Sequence, residues 1–170
     1  MPSTAATVVF YLAIAALVFY KVIYTQLRGT LLSRKGLVTL PLILTVIGVV
    51  AAFNAVPGSS PAELGLLAVD LVVLAGLGVL RSTSTTLTER DGTTFQKGSA
   101  ITVVLWVLTV ATRFGLVALG AALGITGPLT SASIMVTLGV SIGVQNAVTY
   151  LRIQQRRLPL AAEQRKLARA

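Results

Sequence analysis

The chain predicts an all-α polytopic membrane protein with five transmembrane helices. Three observations carry this. Of its 170 residues, 55% are hydrophobic and only 11% charged, whereas soluble domains carry about 25% charged residues. Five apolar stretches approach the roughly 20 residues needed to cross hydrocarbon. The basic residues gather in alternate connections between those stretches.

The stretches run over about 7–24, 37–56, 62–80, 99–123 and 129–150. They make one membrane domain over 1–151, followed by a basic tail over 152–170. The tail interleaves Leu with Arg and Lys around Pro159, which predicts either a short amphipathic helix on the inner leaflet or a solvated segment. The first residues, Met1-Pro2-Ser3-Thr4, lack a positive n-region, so no cleaved signal peptide is expected.

Orientation follows from Lys and Arg. Lys21, Arg28, Arg34 and Lys35 surround the first connection, Arg81, Arg90 and Lys97 the third, and the remaining basic residues the tail. The connections at Pro57–Pro61 and Gly124–Pro128 carry none. Thirteen of the 14 basic residues thus fall on one side, and Arg113 is left within a span. The positive-inside rule then places the N-terminus outside and the C-terminus in the cytoplasm of a multi-pass bacterial inner-membrane protein. The net charge of +9 is accounted for by topology, and no nucleic-acid partner is expected. Tyr20 and Tyr24 suit an interfacial belt.

The third connection has structure of its own. Thr83-Ser84-Thr85-Thr86-Leu87-Thr88 is rich in β-branched residues, Asp91-Gly92 is a turn dipeptide, and Thr93-Thr94-Phe95-Gln96 resumes the pattern. A short cytoplasmic β-hairpin over 82–98 is expected.

Composition excludes much chemistry. Cys and His are both absent, which rules out thiol redox chemistry, thiolate or histidine metal ligation and a Ser-His triad. The five acids, Glu63, Asp70, Glu89, Asp91 and Glu163, are too scattered for a hard-cation cage. No cofactor and no metal are expected.

Asp70 and Arg113 each lie inside an apolar span. An ionisable side chain there costs roughly 2.5–3.5 kcal/mol on insertion scales and marks a candidate site. At 1.5 Å per residue, Asp70 lies about 12 Å below the outer end of the third stretch, and Arg113 about 21 Å above the inner end of the fourth. Both therefore sit near the bilayer middle, where antiparallel neighbours would let them pair. One reading makes them a buried ion pair that fixes helix packing. The other makes them the catalytic pair of a polar cavity, Asp70 as general acid or base and Arg113 as its orienting cation.

Helical spacing supplies candidate binding residues. Thr102, Trp106, Thr109 and Arg113 share one face, as do Glu63 and Asp70. Asn54 closes the second stretch. Gly139, Gly143, Asn146 and Tyr150 form a stripe beside Gln145, and Tyr11 is too deep for an interfacial belt. Glu63, Trp106, Thr109, Asn54, Gln145, Asn146 and Tyr11 are thus the expected lining of such a pocket. Gly120/Gly124 and Gly139/Gly143 read as GxxxG, which serves close packing within the chain or a homo-oligomer.

The order Arg34-Lys35, Leu40-Pro41-Leu42, Asp70 through Gly78, Arg90-Asp91-Gly92, Leu105-Trp106 and Arg113-Phe114-Gly115-Leu116 to Gly124 resembles the CcdC-like family of small bacterial integral membrane proteins over about residues 30–124. The resemblance implies the same membrane architecture, with the acid and the arginine as joint features. The first functional reading is a non-enzymatic accessory or scaffold role of this type, with the GxxxG faces and the basic tail contacting partners or membrane lipid and the Asp70–Arg113 pair holding the bundle. Two further readings stay open from the residues. One is a metal-free enzyme of cyclase or isomerase type acting on a lipid-soluble isoprenoid, with Trp106 facing a developing cation. The other is a small transporter or proton pathway.

Overall fold

The computed structural model describes residues 28–90 and 92–160. Over these the chain forms β1 (Thr30–Leu31), α1 (Arg34–Ala55), a 3-10 turn at Val56–Gly58, α2 (Pro61–Thr83), β2 (Thr86–Arg90), β3 (Thr93–Lys97), α3 (Ala100–Ala122) and α4 (Pro128–Gln155). Four segments, Lys35–Gly58, Pro61–Thr83, Ala100–Ala122 and Pro128–Gln155, are long and apolar enough to cross a membrane. The first expected span, with Tyr11, Tyr20 and Tyr24, lies outside the described residues.

Local sequence sets each helix boundary. Ser33 caps α1 by accepting from Gly36 N at 3.1 Å. Ser60 and Glu63 form a capping box ahead of α2, with Pro61 in the first helical turn. Ser99 and Thr102 do the same for α3. Gly127 and Pro128 open α4. The boundary expected after residue 151 falls inside α4, which continues to Gln155.

The helices pack unevenly. α4 runs along both α1 and α2, whereas α3 packs on α2 and scarcely reaches α4. Small residues bring α1 and α4 together. A Cβ at Gly139 would stand 2.6 Å from the backbone N of Thr45, and one at Gly48 would collide with the Val136 backbone. Gly139 and Gly143 therefore face α1 within the same chain, Gly143 lying against Pro41. Pro41 has no N–H to give the carbonyl four residues back. That carbonyl, Leu37 O, instead accepts from Asn146 Nδ2 at 2.8 Å. An amide on α4 thus satisfies the backbone group that a proline in α1 releases, as a hydrocarbon environment requires.

A three-stranded antiparallel sheet in the order β1-β3-β2 closes one end of the bundle. β2 pairs with β3 from Thr86↔Lys97 to Arg90↔Thr93, and Gly92 between them adopts φ +68°. β1 adds to the other edge of β3 through Thr30↔Gln96 and Leu31↔Phe95, a pairing the sequence does not signal. Thr94 fastens the segment beyond α4, donating to Pro159 O from its N at 2.8 Å and its Oγ1 at 2.6 Å. Leu32, Leu37, Leu87, Ile153 and Leu160 form the apolar cluster beneath the sheet. Arg152 donates to Ser82 O and, at 3.2 Å, to Thr85 O, holding carbonyls at the end of α2.

Burial is inverted relative to a soluble domain. Polar and charged side chains outnumber apolar ones among the buried described residues, while Phe53, Val72 and Phe114 are largely exposed. The outer surface is the apolar one, as lipid demands.

Replacing Gly139 by Val should destabilise the detergent-solubilised protein by about 1–3 kcal/mol through forced separation of α1 and α4. Gly76→Ala, where a Cβ meets nothing within 4 Å, should be neutral or slightly stabilising. Thermal unfolding of the two variants checks the contrast.

Candidate functional site

Asp70 lies mid-way along α2 and is 1% exposed. Arg113 reaches it from α3, its Nη1 donating to Asp70 Oδ2. The other end of the guanidinium serves α4: Nη2 donates to Thr130 O at 2.7 Å and to Ser133 Oγ at 3.0 Å. One side chain thereby links three helices. The gap beside the pair, edged by Leu66, Leu67, Leu116 and Leu129, measures about 20 Å³. That is room for one water, and no room for an organic substrate.

Glu63 joins this network from the end of the bundle away from the sheet. Its carboxylate accepts from Ser60 N and from Thr130 Oγ1, both at 3.3 Å. A Cβ at Gly127 would lie 2.6 Å from the Glu63 Cδ, so glycine permits that fit. Thr130 is shared, its Oγ1 donating to Glu63 and its carbonyl accepting from Arg113.

A second polar layer lies nearer the sheet and was not expected. Arg81, which sequence reasoning assigned to a connection, belongs to the last turn of α2 and is 0% exposed. Its Nη2 donates to Ser141 Oγ at 2.6 Å, and Ser141 Oγ donates to Leu74 O at 2.8 Å. Its guanidinium stacks on the Trp106 ring, 4.0 Å from the centroid. Trp106 therefore serves Arg81 and does not face Asp70. A signal for this was available: Asp70, Leu74, Leu77 and Arg81 recur at i, i+4, i+7 and i+11, one helical face.

The remaining candidates disperse. Thr109 is buried and returns its hydroxyl to Leu105 O at 2.7 Å. Gln145 and Asn146 line a cavity of about 250 Å³ under β1, with Thr30, Ser33 and Gln96. Asn54 is exposed at the opposite end of α1, and Tyr11 lies outside the described residues. The structure therefore groups Asp70, Arg113 and Glu63 in one network and places Trp106, the two amides and Asn54 elsewhere. Between α3 and α4 an apolar groove of about 510 Å³ is lined by Val110, Phe114, Val117, Ile134 and Leu138, and reaches Arg113 at its floor. Among the described residues no three metal-ligating side chains come together.

No protein-family model, curated protein or solved structure matches the chain.

Asp70→Asn should cost about 3–5 kcal/mol, because it strands the Arg113 charge in the interior. Adding Arg113→Met should recover part of that loss, because it removes the stranded charge but also the links to Thr130 and Ser133. A double-mutant cycle on unfolding in detergent reads the coupling directly.

Proposed function

We propose that the chain is a non-enzymatic accessory or scaffold protein of a bacterial cytoplasmic membrane, of the CcdC-like type. In this reading the Asp70–Arg113 pair holds the bundle, and the groove between α3 and α4 takes membrane lipid or another lipid-soluble molecule. The observation that carries it is the closure around Asp70. Its carboxylate is engaged by Arg113, Arg113 is engaged by α4, and the adjoining gap admits one water. A general acid or base must come within hydrogen-bond reach of its substrate, and this carboxylate is shut away from the groove by the arginine.

The fivefold crossing and the cytoplasmic C-terminus belong to the same proposal. Their support is the distribution of charge. With Arg81 and Arg113 inside the bundle, the other 12 of the 14 basic residues flank the sheet end or lie in the terminal segments joined to it. The positive-inside rule makes that end cytoplasmic.

One observation favours the enzyme reading: Arg113 is shared between the ion pair and the apolar groove. A lipophilic substrate lying in the groove would touch the guanidinium, and Asp70 would act behind it.

Native mass spectrometry of the detergent-purified protein separates the two. The accessory role predicts that ordinary membrane lipid is retained by the wild type and by the restabilised Asp70→Asn/Arg113→Met variant, and is expelled by Leu138→Trp, which fills the groove. An isoprenoid converted by the wild type and left unchanged by the double variant would replace the accessory role with catalysis.

A further inference from the structure

Among the described residues six buried side-chain atoms have no hydrogen-bond partner: Asp70 Oδ1, Arg113 Nε, Arg81 Nε, Arg81 Nη1, Trp106 Nε1 and Gln145 Oε1. The first two adjoin the water-sized gap at the ion pair, and a single water can serve both. The Arg81–Trp106 layer differs in kind. Its three unpartnered atoms are all N–H donors, and an indole N–H and a guanidinium have no acceptor capacity to offer one another.

Charge compounds the imbalance. Arg81 is 0% exposed. Its partners are the hydroxyl and carbonyl of Ser141, which are neutral. Among the described residues no carboxylate pairs with it. The Trp106 ring face offsets part of the charge, but a buried cation is ordinarily paired. Asp70 cannot serve. It stands eleven residues away along α2, about 16 Å by helical rise, and is taken by Arg113.

We propose that the Arg81–Trp106 layer binds one small inorganic anion of halide size, with chloride as the physiological occupant. Three donors against the single unpartnered acceptor Gln145 Oε1, beside an uncompensated guanidinium, select for negative charge. Burial selects for size: Arg81, Ser82 and Ser141 are 0% exposed, which favours a small ion over a phosphate or a carboxylate-bearing metabolite. Access is from the sheet end. Gln145 stands one turn beyond Ser141 and lines the 250 Å³ cavity under β1, whose lining holds no carboxylate to repel an anion. This site is distinct from the Asp70–Arg113 network and does not depend on the accessory role.

Trp106 is the only tryptophan in the chain, so its fluorescence reports on this layer alone. The full chain in detergent and gluconate buffer is titrated with bromide at constant ionic strength. Bromide, a heavy-atom quencher, should lower the emission along a saturating curve, and excess chloride should restore it by displacement. Added gluconate should do nothing. Quenching that stays linear in bromide, or that chloride fails to reverse, overturns the proposal on the wild-type protein alone. Gln145→Glu, which keeps Arg81 and Trp106 intact, should raise the half-saturating bromide concentration about tenfold or more by placing a like charge on the approach. An unchanged value overturns the assigned route.

Discussion

Hydrocarbon offers no hydrogen bonds, so every polar group placed in it must be answered from within the chain. In this protein the answer comes from one row of α4. Ser133, Thr137, Ser141, Gln145 and Thr149 recur every fourth residue, and all are buried. They lie along the i±4 ridge by which helices commonly interlock. Ser133 accepts from Arg113, Ser141 from Arg81, and Thr149 shares a hydrogen bond with Ser82 at 2.8 Å. Arg81, Ser82 and Arg113 meet this row, and Glu63 meets Thr130 in the turn preceding it. Remove the row and both guanidiniums lose their hydroxyl partners on α4, leaving Arg113 only the Thr130 carbonyl there.

The groove follows from the same arrangement. α3 is fixed chiefly by α2, and its connections to α4 run through Arg113. An arginine spans what side-chain packing leaves apart, and its long stem tolerates the separation. The apolar surface of the groove is therefore a by-product of using one extended cation, in place of a packed interface, to hold the fourth helix to the third.

Much of this was legible in the sequence. The four described apolar helices lie where hydropathy puts them. Depth arithmetic sets Asp70 and Arg113 level, and Arg113 Nη1 donates to Asp70 Oδ2. What escaped was whatever depends on partners distant in sequence. β1 is two residues long, too short for any alternation to register. Arg81 follows an apolar run and precedes a Ser/Thr-rich stretch, so by local composition it reads as the first residue of a loop. Only the lengths of α2 and its facing helix pull it inside. Trp106 shares a helical face with Arg113, yet a shared face does not fix which layer of the neighbour it meets, and that neighbour proved to be Arg81. Asn54 is the penultimate residue of α1, where a polar residue is as well served by solvent.

The sheet imposes parity on the chain. β1 precedes α1, and β3 follows α2, yet the two strands are paired through Thr30 and Gln96. A ladder cannot form through a bilayer, so its strands must emerge on the same face, which requires an even number of crossings between them. The carbonyl of Pro159, bound by Thr94 after two more helices, extends the requirement to the whole described chain. A copy inserted with one helix skipped would leave β1, β3 and Pro159 on opposite sides. It would be unable to assemble this end, whatever its loop charges dictated. The smallest element of the fold thus ties both ends of the described chain to one side of the helical layer, a condition that any crossing of a bilayer by these four helices has to meet.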